Sequence, residues 1–462
     1  MELIIQEIAE KIIKTSEENL ISMLEEKKDI SEFIKKTREM LDEIGVDIVS
    51  EALRATDRIV KKDKSRKRDW YVERKADHKT IATIFGTVEY ERTYYKSKKT
   101  KECRYLSDAI VGIAAHEKMD TMLKAELIEN AIDISYNKSG RKSSGEIEFT
   151  SQTVMNSIRE LDSVANDAVE IKEKKKKVDI IYIEADEDHV SNQAGKTIEP
   201  KLIYVHEGRK LISKDRWELK NKRCFTGVYR KSEDLWLEVA AYLEEAYDMD
   251  RCNRIYLSGD GANWIKEGLN WIKGSQYVLD MFHLSKYIKK ATAHMPHTTH
   301  IMWKYINANE KGFTMELFDA LLEETESETR KETVKEAKRY VKNHWTGIQN
   351  NYNEDYHGCS AEGHISHILS DRLSSRPLSW KELGVDQMAR LRVFRENGGN
   401  IFQKLLDKKK KNQKQMRIEE LDSKMLEKRA NKRIQEQMGN IGILNTGKRT
   451  GAYKALHSLR GA

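Results

Sequence analysis

Apolar residues at Leu3, Ile4, Ile8, Ile12 and Ile13, and again at Phe33, Met40, Leu41 and Ile44, fall at the spacing of one helix face. Residues 2–60 therefore read as helix, within a helical amino-terminal region 1–78. The pattern then changes. TIATIF, the pair Gly86-Thr87 and VEYERTYYK place β-branched and aromatic residues on both sides of a glycine turn, which predicts a β-hairpin over 79–97 in a region 79–116. Helical spacing returns over 117–162. Thr150 or Ser151 suits the N-cap of a helix with Val154, Ile158 and Leu161 on one face. With a helix near Leu123–Ala131 it predicts a helix-turn-helix inside 117–170.

From residue 178 short apolar runs alternate with helical patterns. Val178–Ala185, Lys201–Val205, Cys224–Tyr229, Arg254–Ser258 and Gln276–Leu279 suit strands. Helices are predicted from Ser232, the expected cap, through Tyr247, and from Ala262 to Ile272. The order of three strands, helix, strand, helix, strand is that of a ribonuclease H-like core, here 178–283. Residues 284–355 read as an all-helical insertion and 356–400 as the last part of the core, with a helix from Glu362 to Leu373. Residues 401–462 read as a basic helical tail. The expected fold class is thus an α/β ribonuclease H-like core with a helical insertion, a helical and β-hairpin amino-terminal region and a basic tail.

Composition changes this picture little. Only 3 prolines among 462 residues suit long helices, and 39% hydrophobic residues suffice for buried cores. The net charge of +7 is clustered: Lys61–Arg68, Lys172–Lys177 and Lys408–Lys411. Such runs attract phosphate backbones by releasing counterions, though each alone also suits a solvated surface. Arg66, Arg68, Lys174, Lys175, Arg372 and Arg376 are candidate DNA contacts, and Trp303 a candidate base-stacking residue. The four cysteines have no CxxC spacing and suggest no disulfide framework, which suits a reducing cytoplasm. No run is apolar enough for a membrane span, and the first residues do not resemble a signal peptide.

Candidate chemistry lies in acids at strand ends. Asp186 follows the first core strand, Asp260 the fourth and Asp280 the fifth, while Glu362 begins a late helix. Carboxylates suit hard divalent cations, and a pair of such ions about 3.5–4 Å apart cleaves phosphodiesters without a protein nucleophile. His294, His297 and His300 read as a polar loop rather than a metal site, and His357, Cys359, His364 and His367 match no familiar zinc spacing.

The motifs YIEADEDHV, YLSGDGANWI, VLDMFHLSKY and CSAEGHISHILSDRLSSRP, with FGTVEYERTYY near the amino terminus, resemble the DDE transposases of bacterial insertion sequences. The resemblance is to the Mutator-like group, and within it to the ISLre-type family, formerly an uncharacterised protein family. It implies a catalytic, metal-holding triad of Asp186, Asp260 and Glu362, with two Mg²⁺ or Mn²⁺ ions. Where that family often has Asp-Gly, this chain has Asp186-Glu187-Asp188, so Asp188 stands as the alternative first ligand. Asp280 and His283 fit the group's acid-x-x-His motif in an auxiliary role. The resemblance further implies cleavage at transposon ends, strand transfer of the 3′-hydroxyl into target DNA, a homo-oligomer on paired ends and a cytoplasmic, nucleoid-associated place of work. Sequence-specific end recognition is expected in residues 1–165. The alternative function is a non-catalytic DNA-binding protein that retains the fold.

Overall fold

The computed structural model describes residues 2–143, 147–214, 216–376 and 378–413, with side chains from residue 8 onward. Of the described residues, those up to Ile401 form one unit and Phe402 to Gln413 belong to another. Of the predicted basic tail, residues 402–413 are helical and the remainder lies outside the described residues.

The predicted run of helix over 2–60 is two helices, α1 (Glu2–Glu25) and α2 (Ile30–Lys62). The break falls where Lys27 takes a positive φ and Asp29 caps α2 by accepting from the Ser31 amide. After a short α3 (Lys64–Asp69) come β1 (Trp70–Thr83), β2 (Gly86–Ser97) and β3 (Cys103–Tyr105), an antiparallel sheet. The hairpin thus begins at Trp70 rather than 79, which corrects the predicted boundary. Its outer half carries Glu73, Arg74, Lys75 and Asp77 and lacks the apolar alternation that marks a strand. The turn is Ile84-Phe85, and Gly86, with φ +130°, already belongs to β2. Helix α2 lies on this hairpin: Val46, Val49 and Leu53 pack on Ile81, Val88 and Tyr90. Asp57 fixes the contact, accepting from the Thr93 amide and hydroxyl and from the Ser107 hydroxyl.

Next come α4 (Leu106–Val111), α5 (Thr121–Asp133), α6 (Tyr136–Lys142) and α7 (Ser151–Leu161). The predicted two-helix motif is therefore corrected to a cluster in which α6 intervenes. Thr150 is the cap of α7, accepting from the Thr153 amide, and Val154, Ile158 and Leu161 are buried as expected.

The central sheet is built from β4 (Ile180–Glu187), β7 (Lys201–His206), β10 (Arg223–Gly227), β11 (Arg254–Gly259) and β12 (Ser275–Leu279). Between them lie two small ribbons, β5 (Val190–Ser191) with β6 (Thr197–Ile198), and β8 (Arg209–Ser213) with β9 (Arg216–Leu219). The five strands stand in the order β10-β7-β4-β11-β12. The first three in sequence pair antiparallel, and β4, β11 and β12 run parallel. One face of β4, made by Ile181, Ile183 and Ala185, packs with Ile255 and Leu257 of β11 against α8 (Ser232–Ala246). Ser232 does not cap α8; it is the helix's first residue, and its hydroxyl donates to Glu267. The expected helix over 262–272 is two single turns, α9 (Asn263–Lys266) and α10 (Gly268–Trp271).

The insertion is helical: α11 (Met281–Thr292), α12 (His297–Asn307), α13 (Lys311–Glu324), α14 (Glu328–Asn343) and α15 (Trp345–Gln349). They enclose Leu284, Ile288, Met302, Phe318 and Val341. Trp303, half-buried, packs on this cluster. The late helix is α16 (Ala361–Ile365), a π-helical turn Ser366–Ser370 and α17 (Asp371–Leu373), followed by α18 (Glu382–Glu396).

Candidate active site

Side-chain alternation decides what the second face of the sheet presents. Tyr182, Tyr256, Val278 and Tyr356 form a buried cluster there. Tyr182 pairs with Tyr256, Glu184 with Ser258, and Ser258 with Val278. Continuing that register by two residues brings Asp186, Asp260 and Asp280 level at the carboxyl ends of three adjacent parallel strands, all on this face.

Each acid is then held differently. Asp186 is buried, and among the described residues its carboxylate takes one hydrogen bond, from the Glu187 amide at 2.9 Å. Burial pushes it up to about 7, and the nearby charges of Asp260 and Glu362 push the same way, against the Glu187 amide and His283. Asp260 accepts from the Ala262 amide at 2.8 Å, closing a turn in which Gly261 has φ +99°. A Cβ on Gly261 would lie 2.4 Å from His344 Nε2, so only glycine lets that ring close over the turn. Asp280 caps α11 through the Phe282 amide and accepts from His283 Nδ1 at 2.8 Å. That bond raises His283 above its usual value, against the effect of burial. His283 Nε2 lies 4.0 Å from Glu362, and Lys286 Nζ 3.9 Å from it. Glu362 sits in the first turn of α16, half exposed.

The charges of Asp260, Glu362 and His283 thus all reach Asp186, and His283 links Asp280 to the neighbourhood of Glu362. Asp188, also buried, accepts from the His189 amide and the Ser374 hydroxyl through Oδ1, and its Oδ2 is without a hydrogen-bond partner among the described residues. Among the described residues, no three carboxylate, imidazole or thiolate groups stand close enough together to hold one metal ion between them.

One basic candidate falls away, and the others stand at the surface. Arg372 is buried, donating to the Ala131 carbonyl and lying over the Tyr136 and Trp380 rings, so it fastens α17 to α5 instead of meeting phosphate. Arg66 donates to the Val60 and Lys61 carbonyls at the end of α2, and Arg68 pairs with Asp69. Lys174 and Lys175 pair with Glu245 and Glu244, on a segment whose backbone is bonded to the end of α8. The segment is therefore docked along its backbone at Lys175 and Lys176, while the Lys174 and Lys175 side chains stay exposed in surface ion pairs. Arg376 is exposed. His294 bonds Thr325, His357 stacks on Tyr182 and His364 lies against Tyr204, each engaged with the fold.

Glu184 was not singled out by the sequence. It is buried beneath Asp186's strand end and is bonded by His206 at 2.9 Å, by Tyr204, and by the Ser360 amide and hydroxyl. Burial drives it up, yet these bonds outweigh that and hold it below its usual value. The clamp ties β4 and β7 to the residue that precedes α16, and so places Glu362. A charged residue at an inward strand position was its only sequence signal.

The family model described as an uncharacterised protein family, UPF0236, matches residues 23–415. This chain belongs to the UPF0236 family. Among its relatives are UPF0236 proteins of Caldanaerobacter subterraneus subsp. tengcongensis. One is 44% identical over 434 residues, spanning 94% of this chain and 92% of its own length; another is 44% identical and spanned over 87%. Their names join several numbered loci of that one genome, four in one case and eleven in another. The UPF0236 match covers every residue of the candidate site. No helix among the described residues is long and apolar enough to cross a membrane.

Proposed function

We propose that this protein is a DNA transposase of the DDE type, with a ribonuclease H-like core interrupted by a helical insertion. The observation that carries the reading is the level placement of Asp186 and Asp260 at adjacent strand ends of a sheet ordered third-second-first-fourth-fifth, with Glu362 brought beside them by a helix beyond the insertion. The many loci of single relatives in one genome support a self-copying element.

By chemistry the donors suit a hard divalent cation, Mg²⁺ or Mn²⁺, with oxygen ligands and a buried, under-bonded Asp186, and Glu362 has to draw in from α16 to complete the set, since no three such groups stand together among the described residues. Two such ions, when bound, activate water and stabilise the charge of phosphodiester displacement. Asp186 and Asp260 would hold them from the rigid sheet, and the half-exposed Glu362 would close from α16. His283, fixed by Asp280, orients Glu362. Lys286 beside Glu362, and Lys266 near Asp260, meet the phosphates. The reaction is cleavage at transposon ends and transfer of the freed 3′-hydroxyl into target DNA, by a homo-oligomer on paired ends, in the cytoplasm where that DNA lies.

The test is nicking of labelled DNA carrying the element's own terminal repeats, with and without Mg²⁺. The expected result is Mg²⁺-dependent nicking that Asp260→Asn abolishes while DNA affinity stays. Binding without nicking at any divalent ion would instead favour a DNA-binding protein that only retains the fold.

A further inference from the structure

The acids at the strand ends are not equally anchored by the sheet. Asp186 still lies within β4, whereas Asp260 lies one residue beyond β11 and is carried by a turn. The helical insertion meets that turn. Tyr340, in the last turn of α14, donates its hydroxyl to the Asp260 carbonyl at 2.5 Å, across 80 residues of chain. His344, the residue after α14, is buried, and its Nδ1 lies 2.8 Å from the Tyr340 carbonyl. A carbonyl only accepts, so Nδ1 carries the proton, and burial, which lowers His344, leaves Nε2 bare. Nε2 has no hydrogen-bond partner among the described residues and faces Gly261, the residue after Asp260. The Tyr340 ring is itself held. It stacks on Tyr287 of α11, with ring centres 3.9 Å apart, and lies 4.6 Å from the His344 ring. Helix α11 is the one that Asp280 caps and that carries His283. The Tyr287–Tyr340 stack therefore joins the Asp260 turn to the helix that reaches toward Glu362.

Packing the insertion on the core asks only for the ring of Tyr340. The hydroxyl adds a directed bond to the backbone of the acid residue itself. We infer that Tyr340 is a positioning residue: through its hydroxyl the insertion fixes the Asp260 turn, so that the carboxylate stands ready for a divalent ion. Loss of a group one step removed from a metal ligand typically costs about 10–100-fold in metal affinity or activity. The inference rests on the reading of Asp260 as an ion-holding acid, and it makes the insertion part of that site.

The test uses the full-length protein with labelled DNA carrying the terminal repeats, and Mn²⁺ as the probe. Bound Mn²⁺ is read from the electron paramagnetic resonance signal of the free ion, with nicking and urea unfolding followed alongside. Tyr340→Phe keeps the ring and its stack and removes only the hydroxyl. It should weaken Mn²⁺ binding about tenfold and slow nicking at subsaturating Mn²⁺ by a similar factor, with the urea midpoint near wild type. Tyr352→Phe removes a hydroxyl that bonds Asn307 instead, and should leave all three as in wild type. If Tyr340→Phe binds Mn²⁺ and nicks as the wild type does, or loses only stability, Tyr340 merely packs; the inference falls and the transposase reading stands. An equal loss of Mn²⁺ in Tyr352→Phe would overturn the inference in the same way. If the wild type neither binds Mn²⁺ nor nicks, both fall.

Discussion

Two carboxylates stand two residues apart on the same face of β4, and they are treated in opposite ways. Glu184 is closed in by His206, Tyr204 and Ser360 and is held below its usual value. Asp186 is buried too, a little less deeply, but takes one amide hydrogen bond among the described residues, and is raised to about 7. Burial penalises both charges; the difference is what repays it. A buried carboxylate whose lone pairs are filled by the protein is part of the frame. Asp186 is instead left under-bonded with the charges of two more acids nearby, the state that the proposed divalent-ion site calls for.

The comparison breaks most sharply at Asp186. Asp186→Asn should reduce nicking far beyond the roughly 10–100-fold typical of a group one step removed from a metal, while thermal stability holds or rises, since a neutral side chain escapes the burial penalty. Nicking within tenfold of wild type would remove Asp186 from the site. Glu184→Ala should do the reverse in its first effect, costing about 3–5 kcal/mol in urea unfolding, because His206 and the Ser360 amide lose a buried charged partner. A loss under about 1 kcal/mol would mean that the clamp is not structural. His283→Gln should lower nicking about 10–100-fold with little change in unfolding, as expected of a group that positions Glu362 without holding an ion. Smallest of all, Asp188→Asn should change nicking by less than about tenfold, since the His189 amide and the Ser374 hydroxyl already hold Asp188 Oδ1. A larger loss there, measured beside Asp186→Asn, would reverse the choice of first acid.

Much of the architecture was legible along the chain. The five core strands lie within two residues of the predicted runs, because buried strands are apolar runs bounded by turn residues. The outer half of β1 was not legible, since its charged residues are ordered by pairing with β2 rather than by burial. Nor was α6, a single short element in a polar stretch. Arg372 misled for a related reason. A sequence counts charges but does not show that Arg372 is sunk between two rings, or that Glu245 waits beside Lys174.

The sequence by itself determined which acids can share a face. Period-two alternation and the strand ends fix the parity of Asp186, Asp260 and Asp280, and no packing can alter it without slipping the register. Only the tertiary structure decided which acids are already satisfied. Hydrogen-bond partners arrive from distant segments: Ser360, 176 residues from Glu184, fills that carboxylate and in doing so sets Glu362 beside Asp186. Local pattern is carried by neighbours along the chain, whereas the state of a buried charge depends on whatever the fold brings against it.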